Sequence, residues 1–225
     1  MPEKALLFDS GPLINLSMNG LLYIIERLKK TFKGKFIITE SVKYEIIDRP
    51  LKIPRFELGA LRIQELLDSK ILELPVSLGV DNATIKDELK NFSNVANNCV
   101  KANNKSISII SEAETSCLAL SKILTKRNIE NIIAIDERTT RILTEKPENL
   151  EKLMGDKLKM RVRIQCDLET FSNFRFIRST ELVYVAYKKD LLGLTGKKVL
   201  EASLYATKYK GAAVSFEEID VLKKM

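Results

Sequence analysis

Four acidic residues from four distant segments have the side chains best suited to joint chemistry. They are Asp9, Glu45, Glu114 and Asp136. Asp9 and Asp136 each follow a short apolar run that is typical of a buried parallel strand. Glu45 and Glu114 lie early in two predicted helices. Because ligands of open parallel sheets bind at the carboxyl ends of the strands, we expect these four carboxylates to converge at one edge.

Clustered carboxylates repel one another and resist burial, so such a cluster needs a cation. A divalent metal lowers the pKa of bound water and polarises phosphoryl oxygens, which suits phosphodiester hydrolysis. The chain contains no histidine, and this excludes Ser-His-Asp catalysis, Cys-His catalysis and His-ligated zinc. An oxygen-only site favours Mg²⁺ or Mn²⁺.

Each acid also has a simpler structural interpretation. Asp9 and Asp136 both stand just before a predicted helix, where an aspartate commonly caps the first turn. Glu45 suits a solvated helix surface. Only the joint placement of the acids favours a site over these separate roles.

Glu114 has both a structural alternative and a rival. The segment from Ser111 to Glu114 forms a capping box, in which Glu114 would bond back to the cap residue. Glu112 lies two residues away and therefore points in a different direction on the helix. Glu114 is nearer the apolar stripe that includes Cys117, so we expect it to face inward and Glu112 to be auxiliary.

Composition and charge are those of a basic globular protein. The 225 residues are 45% hydrophobic and 30% charged, with a net charge of +7 and a pI near 9.2. A basic surface suits a polyanion, most often a nucleic acid. No apolar run approaches the ~20 residues that span a bilayer, and the first residues lack the features of a secretory signal. We therefore expect a cytoplasmic protein with no membrane partner.

The three cysteines, at positions 99, 117 and 166, predict neither a disulfide framework nor a zinc site. Their number is odd and no CxxC pair occurs. Cys117 lies on an apolar helical face and is expected in the core.

Strands and helices alternate along the first two thirds of the chain, which predicts a three-layer α/β/α fold with a mainly parallel sheet. We expect a nuclease-like domain over 1–178 and a C-terminal helical extension over 179–225, packed on the same domain. The Asn-rich segment 92–105 is predicted to be a mobile loop. The predicted strands are 5–8, 35–38, 71–74, 131–135 and 174–177. Helices are predicted after Ser10, over 21–32, after Thr39, over 56–67, after Ser111, and over 137–143, 181–191 and 197–209.

Four short motifs resemble those of the PIN-domain family. They are LLFDSGPLINL, FIITESVKYEII, SEAETSCLAL and IIAIDERTTRIL. All four occur in family order across residues 4–145, and the first is closest to a VapC-like prokaryotic branch. The resemblance implies a Rossmann-like parallel sheet, Mg²⁺ or Mn²⁺ at the four acids, and endonucleolytic cleavage of single-stranded RNA. It also implies that Ser10 helps to orient the acids, with a helix cap as its alternative role. Glu137, next to Asp136, is a candidate auxiliary acid.

The chain departs from the VapC-like pattern in several places. Ser111 replaces a glycine, and Gly11 replaces a serine. The segment 50–105 and the C-terminal helices exceed the length of compact toxins, which argues against a toxin role. By resemblance alone we expect a homodimer, while an antitoxin or a ribosome-associated partner stays open.

Basic residues after the fourth motif are candidates for holding RNA phosphates. They are Arg138, Arg141, Lys157, Lys159, Arg161 and Arg163. The alternative is that these side chains are ordinary solvated surface charge.

Three other functions compete with a ribonuclease. The first is a catalytically weak or inactive PIN-fold module that binds RNA or a protein partner. The second is a phosphoaspartyl enzyme with Asp9 as nucleophile, but phosphatases of that type open with Asp-x-Asp and position 11 is glycine. The third is a dinucleotide-binding domain, which lacks its GxGxxG after the first strand.

Overall fold

The computed structural model describes residues 3–103, 105–165, 168–196 and 198–225. In this part of the chain the strands are β1 (Lys4–Phe8), β2 (Lys35–Ile37), β3 (Val100–Ala102), β4 (Lys105–Ser106), β5 (Glu130–Ala134), β6 (Val162–Ile164) and β7 (Phe176–Ile177). The α-helices are α1 (Ser10–Met18), α2 (Tyr23–Thr31), α3 (Glu40–Lys43), α4 (Pro54–Asp68), α5 (Asn82–Cys99), α6 (Glu112–Lys126), α7 (Arg138–Glu145), α8 (Leu150–Leu158), α9 (Ser179–Lys188), α10 (Val199–Tyr209) and α11 (Phe216–Lys224). A π-helical turn, Tyr44–Asp48, continues α3.

The main sheet has four strands in the order β2-β1-β5-β7, and every neighbouring pair is parallel. Ala5 to Phe8 of β1 are all buried, and successive side chains point to opposite faces, so both faces of this strand are covered. The pairing continues past β1, since the Asp9 N–H donates to the Ala134 carbonyl at 2.9 Å. The expected mixed α/β architecture with a parallel sheet is confirmed.

A second sheet replaces the loop that we expected over 92–105, so that prediction was wrong. The polar segment continues α5 as far as Cys99 and then enters β3, which pairs antiparallel with β4 and β6. Phe92, Ala96 and Cys99 are fully buried, and their helical spacing forms an apolar stripe on a helix that packs against α6. The asparagines dominate the composition, but this stripe determines the structure.

The strand predicted over 71–74 reduces to a single parallel bridge between Ile37 and Glu73. Glu73 still exchanges backbone hydrogen bonds with the chain at β2, donating to the Phe36 carbonyl at 2.8 Å and accepting from the Ile38 N–H at 3.0 Å. The segment therefore extends the edge of the main sheet by one residue.

The C-terminal helices are tied to the first helices of the chain. Tyr23 of α2 donates its hydroxyl to the Leu192 carbonyl, and Arg27 Nη1 donates to the Leu191 carbonyl at 2.8 Å. Arg178, just before α9, forms ion pairs with Glu181 and, at 2.7 Å, with Glu218 of α11. The helix expected over 197–209 is α10, with Lys197 outside the described residues.

The cysteines depart in one respect from expectation. Cys117 is free and buried, as predicted, with its thiol 3.7 Å from the Phe8 carbonyl. Cys99, however, is disulfide-bonded, which the sequence did not predict. Spacing along the chain does not report the spatial approach of two thiols, which is set by the fold. Position 166 lies outside the described residues.

Among the described helices, none has the length and apolar character needed to cross a membrane.

Candidate active site

Asp9 lies at the carboxyl end of β1 and caps α1, with Oδ2 accepting from the Gly11 N–H at 3.3 Å. The side chain is only 2% exposed, and its other oxygen, Oδ1, has no hydrogen-bond partner among the described residues. Burial, followed by the negative charge of Glu114, raises the pKa of Asp9 to about 8, with a smaller contribution from Glu45. A buried carboxylate with an unpaired oxygen and other acids nearby is costly unless a proton or a cation neutralises it.

Glu114 is buried in the first turn of α6 and also closes the capping box. Its Oε2 accepts from the Ser111 N–H at 2.7 Å, while its own N–H donates to Ser111 Oγ at 3.2 Å. Burial raises the pKa of Glu114; the Ser111 N–H opposes this shift and the charge of Glu137 adds to it. The two interpretations of Glu114 are therefore compatible, because the same carboxylate caps the helix and lies among the acids.

Glu112 takes the other direction, as the helical geometry predicted. It is exposed, and its Oε1 accepts from Ser41 Oγ of α3 at 3.1 Å. The contact links the start of α6 to the start of α3.

Glu45 lies in the π-helical turn after α3, where Arg49 N–H bonds to the Tyr44 carbonyl at 2.9 Å. It is half-buried, and its charge reaches both Asp9 and the Cys117 thiol. Single π-turns often occur at functional sites, because they redirect a side chain without ending the helix. Glu45 is therefore close enough to Asp9 for its charge to raise the pKa of that carboxyl.

A buried pair of hydroxyl groups holds these two helices together. Thr39 Oγ1 lies 2.6 Å from Ser116 Oγ and also accepts from the Val42 N–H at 3.2 Å. Thr39 caps α3 and Ser116 lies in α6, so the pair sets the spacing between the helices that carry Glu45 and Glu114. The sequence identified Thr39 as a cap but not this partner.

Glu137, expected only as an auxiliary acid, caps α7 next to Glu114. Its Oε2 accepts from the Thr140 N–H at 2.8 Å and its Oε1 accepts from Thr139 Oγ1 at 2.7 Å. Lys157 of α8 approaches Glu137 Oε1 at 3.6 Å. The Thr140 hydroxyl is buried without a well-formed hydrogen bond to any residue that the structure describes, although it lies close enough to Glu114 to lower the pKa of that carboxyl slightly.

Asp136 follows β5, as expected, but its carboxylate is directed toward the C-terminal helices. Oδ1 accepts from the Ser179 N–H at 2.8 Å, and Oδ2 accepts from Asn15 Nδ2 at 3.1 Å. The same Asn15 amide donates to the Thr207 carbonyl at 2.9 Å. Burial raises the pKa of Asp136, and the Ser179 and Asn15 donors oppose that shift. Both oxygens are therefore engaged in joining β5 to α1, α9 and α10.

Gly11 and Ser10 lie between the two aspartates, in the first turn of α1. A Cβ at Gly11 would lie 3.5 Å from Asp9 Oδ2 and 3.5 Å from Asp136 Cβ, so the two acids flank this turn. Ser10 is buried, and its N–H lowers the pKa of Asp9. Its contribution in this structure is thus a backbone donor.

The acids do not form a ready coordination sphere. In the described part of the chain, no three acidic or thiol side chains are grouped closely enough to hold a metal ion. What the fold brings together is a set of acids whose charges shift one another's pKa. The charges of Glu114 and Glu45 raise the pKa of Asp9, and the charge of Glu137 raises the pKa of Glu114. Asp136 borders this set with both of its oxygens occupied.

The predicted phosphate-binding residues separate into different places. Lys157 lies beside Glu137, and Arg138 is exposed at the start of α7. Arg141 pairs with Glu145 at 3.3 Å. The remaining three are exposed beyond the end of α8. Lys159 follows the helix in a left-handed conformation, Arg161 lies between α8 and β6, and Arg163 lies in β6 opposite Lys101.

Comparison with known proteins adds no assignment. No family model, no curated protein and no solved structure matches this chain.

Proposed function

We propose that this chain is a metal-dependent endoribonuclease of the PIN type, with Asp9, Glu45 and Glu114 at its centre and Glu137 beside them. One observation carries the proposal: Asp9 Oδ1 is buried without a hydrogen-bond partner among the described residues, and the charges of Glu114 and Glu45 both raise the pKa of this carboxyl. Structural aspartates are normally satisfied when buried. An unsatisfied one among acids suits a site that awaits a cation.

The donor chemistry fits Mg²⁺ or Mn²⁺ in type and in charge. The available ligands are carboxylate oxygens, which hard divalent cations prefer. When bound, such an ion would supply an activated water and would stabilise charge on a phosphodiester. In the chain itself, Asp9 would have to lose its proton, and Glu114 would have to exchange the Ser111 N–H for the ion.

The fold supports the PIN assignment in its general arrangement. The sheet is parallel, β1 is buried on both faces, and Asp9 and Asp136 follow adjacent strands at their carboxyl ends. Together with the four motifs in family order, this favours a three-layer PIN-like domain of the VapC-like branch. Asp136 then contributes by fixing the edge of the site rather than by offering a free oxygen.

A catalytically inactive PIN-like module that binds RNA or a protein is the second candidate, and a specific observation favours it. Glu114 and Glu137 both cap helices, Asp136 is fully hydrogen-bonded, and the described residues contain no preformed metal group. In such a module these acids would be structural. The two candidates differ in what happens when Mn²⁺ and single-stranded RNA are added.

Cleavage of a labelled single-stranded RNA with Mn²⁺ tests the proposal. Wild type should cleave internally, EDTA should stop cleavage, and Asp9→Asn should reduce the rate by at least about 100-fold, since it removes a central ligand. Asp68→Asn, an exposed substitution of the same kind at the end of α4, should cleave like wild type. Equal rates for wild type and Asp9→Asn would reject the nuclease and leave the binding module.

A metal titration gives a second readout that does not depend on activity. Mn²⁺ should raise the melting temperature of the wild type and of Asp68→Asn, but not that of Asp9→Asn, because only the native site of the first two binds the ion. An equal rise in all three proteins would place the metal elsewhere on the chain.

A further inference from the structure

A groove of about 860 Å³ separates α7 and α8 from the end of α10 and the segment that follows it. Residues 138, 141, 142 and 145 of α7 line one wall, at the spacing of a single helical face. Residues 152, 153 and 156 of α8 line the second wall in the same way. Lys208, Tyr209 and the segment 212–215 close the third side. Both helical faces are therefore directed at the same space.

Positive charge predominates in this groove. Its lining includes six cationic residues, Arg138, Arg141, Lys146, Lys152, Arg178 and Lys208, against three acids, Glu145, Asp156 and Glu218. Arg178 and Arg141 are used internally, in ion pairs with groove acids or nearby acids. Arg138, Lys146 and Lys152 are exposed and have no ion-pair partner in the described part of the chain. Three cations are thus available to an external anion.

Tyr209 supplies a flat apolar surface at the same place. It is 72% exposed at the end of α10, and its ring is stacked on Tyr205 at 6.3 Å with an interplanar angle of 23°. Tyr209 also lines the groove, so its largely exposed side chain is accessible from there. Exposed aromatic rings beside cations are characteristic of sites that bind unpaired bases.

We propose that this groove binds single-stranded nucleic acid, with phosphates on Arg138, Lys146 and Lys152 and one base stacked on Tyr209. An unpaired base is required because a duplex offers no free ring face for stacking. As the path of a substrate, the groove rests on the proposed nuclease function. Arg138, which lines the groove, directly follows Glu137 of the acid cluster, so this end of the groove adjoins the acids.

The test is binding of a fluorescent oligouridylate, measured by anisotropy in EDTA so that no cleavage occurs. Tyr209→Ala should weaken binding about tenfold, equivalent to about 1.4 kcal/mol, while Tyr209→Phe keeps the ring and should bind like wild type. Tyr187→Ala removes an exposed ring of α9 outside the groove and serves as the matched control. Equal binding by Tyr209→Ala and wild type would overturn the stacking site.

A salt series tests the phosphate contacts separately. The double variant Lys146→Gln/Lys152→Gln should bind more weakly and should lower the slope of log affinity against log salt by about 1.4, or about 0.7 for each lost contact. Lys33→Gln, at an exposed lysine beyond α2, should leave the slope unchanged. An unaltered slope in the double variant overturns the assignment. So would displacement of the oligonucleotide by polyglutamate as effectively as by unlabelled oligouridylate, since that would indicate a site for acidic peptides.

These results separate the groove from the nuclease. If the wild type cleaves RNA but the groove variants bind normally, the path is wrong and the enzyme assignment stands. If the groove variants lose binding while neither the wild type nor Asp9→Asn cleaves, the groove is right and the enzyme assignment fails.

Discussion

Replacing Asp9 with asparagine should stabilise the metal-free protein, and the gain should increase with pH. Asparagine keeps the size of the side chain and an oxygen for the Gly11 N–H, but it carries no charge. In the wild type, burial and the neighbouring acids raise the pKa of Asp9 from 3.8 to about 8. The native state therefore resists ionisation that the unfolded chain undergoes near pH 4.

The sign of the pH effect follows from proton binding. Between about pH 4 and pH 8 the folded state holds the Asp9 proton and the unfolded state has released it, so stability falls as pH rises through this window. Below pH 4 both states are protonated and the penalty disappears. Each pH unit inside the window costs about 1.36 kcal/mol. From pH 5 to pH 8 the wild type should thus lose on the order of 4 kcal/mol relative to Asp9→Asn.

Thermal unfolding in EDTA at a series of pH values measures this difference. A domain of this size shifts by about 2–4 °C for each kcal/mol, so the gap in melting temperature should widen by roughly 8–16 °C from pH 5 to pH 8. Other groups titrate in both proteins and cancel to a first approximation. Asp68→Asn should follow the wild-type curve.

Mn²⁺ should offset most of this loss in the wild type at high pH. Metal binding needs the ionised carboxylate, so it stabilises the wild type more at pH 8 than at pH 6. At a Mn²⁺ concentration 100 times the Kd at pH 8, the stabilisation is about 2.7 kcal/mol. A gap between the wild type and Asp9→Asn that stays constant from pH 5 to pH 8 would show that Asp9 ionises normally. The argument from its burial would then be refuted.

Three further substitutions test the surroundings of Asp9. Asp136→Ala should destabilise the fold by about 1–3 kcal/mol in urea unfolding, because the buried Ser179 N–H loses its acceptor. An unchanged urea midpoint would show that Asp136 does not hold β5 to the neighbouring helices. Glu114→Gln should keep the capping box, and so most of the stability, but lose Mn²⁺-dependent RNA cleavage, whereas Glu112→Gln should cleave normally. The reverse result would make Glu112 the site acid. Arg178→Met removes the ion pair to Glu218 and should therefore expose α11 to limited proteolysis. The cost should be only about 2 kcal/mol, because both partner acids are part-exposed and stay solvated. Unchanged proteolysis would mean that α11 is held by other contacts.

Short sequence patterns predicted those parts of the fold that depend on residues close together in the chain. β1 and β5 were recognisable because each is a short apolar run, and buried parallel strands need such runs. The capping box at Ser111 was recognisable because its hydrogen bonds join residues three apart. The inward direction of Glu114 followed from its position beside the apolar stripe of α6. None of these inferences required knowledge of distant partners.

Non-local contacts account for the errors. The segment 92–105 was assigned to a loop from its asparagines, but Phe92 and Ala96 bury a stripe against α6, and β3 pairs with β6, which is distant in sequence. Composition describes only the exposed face of such a helix. The direction of the Asp136 side chain could not be predicted from sequence either, because it depends on Asn15 and Ser179, which lie far from it along the chain.

The two strand-end aspartates show what the fold adds to the pattern. In sequence, Asp9 and Asp136 are equivalent: each ends a buried strand and each precedes a helix. In the structure Asp136 has both oxygens hydrogen-bonded, while one oxygen of Asp9 has no hydrogen-bond partner among the described residues. The charges of Glu114 and Glu45 also raise the pKa of Asp9. A structural carboxylate should be costly to remove, and a carboxylate held for an absent cation should be costly to keep. Substitutions at the two positions should therefore change the free energy of unfolding in opposite directions in EDTA at pH 8, which separates the two roles without any substrate.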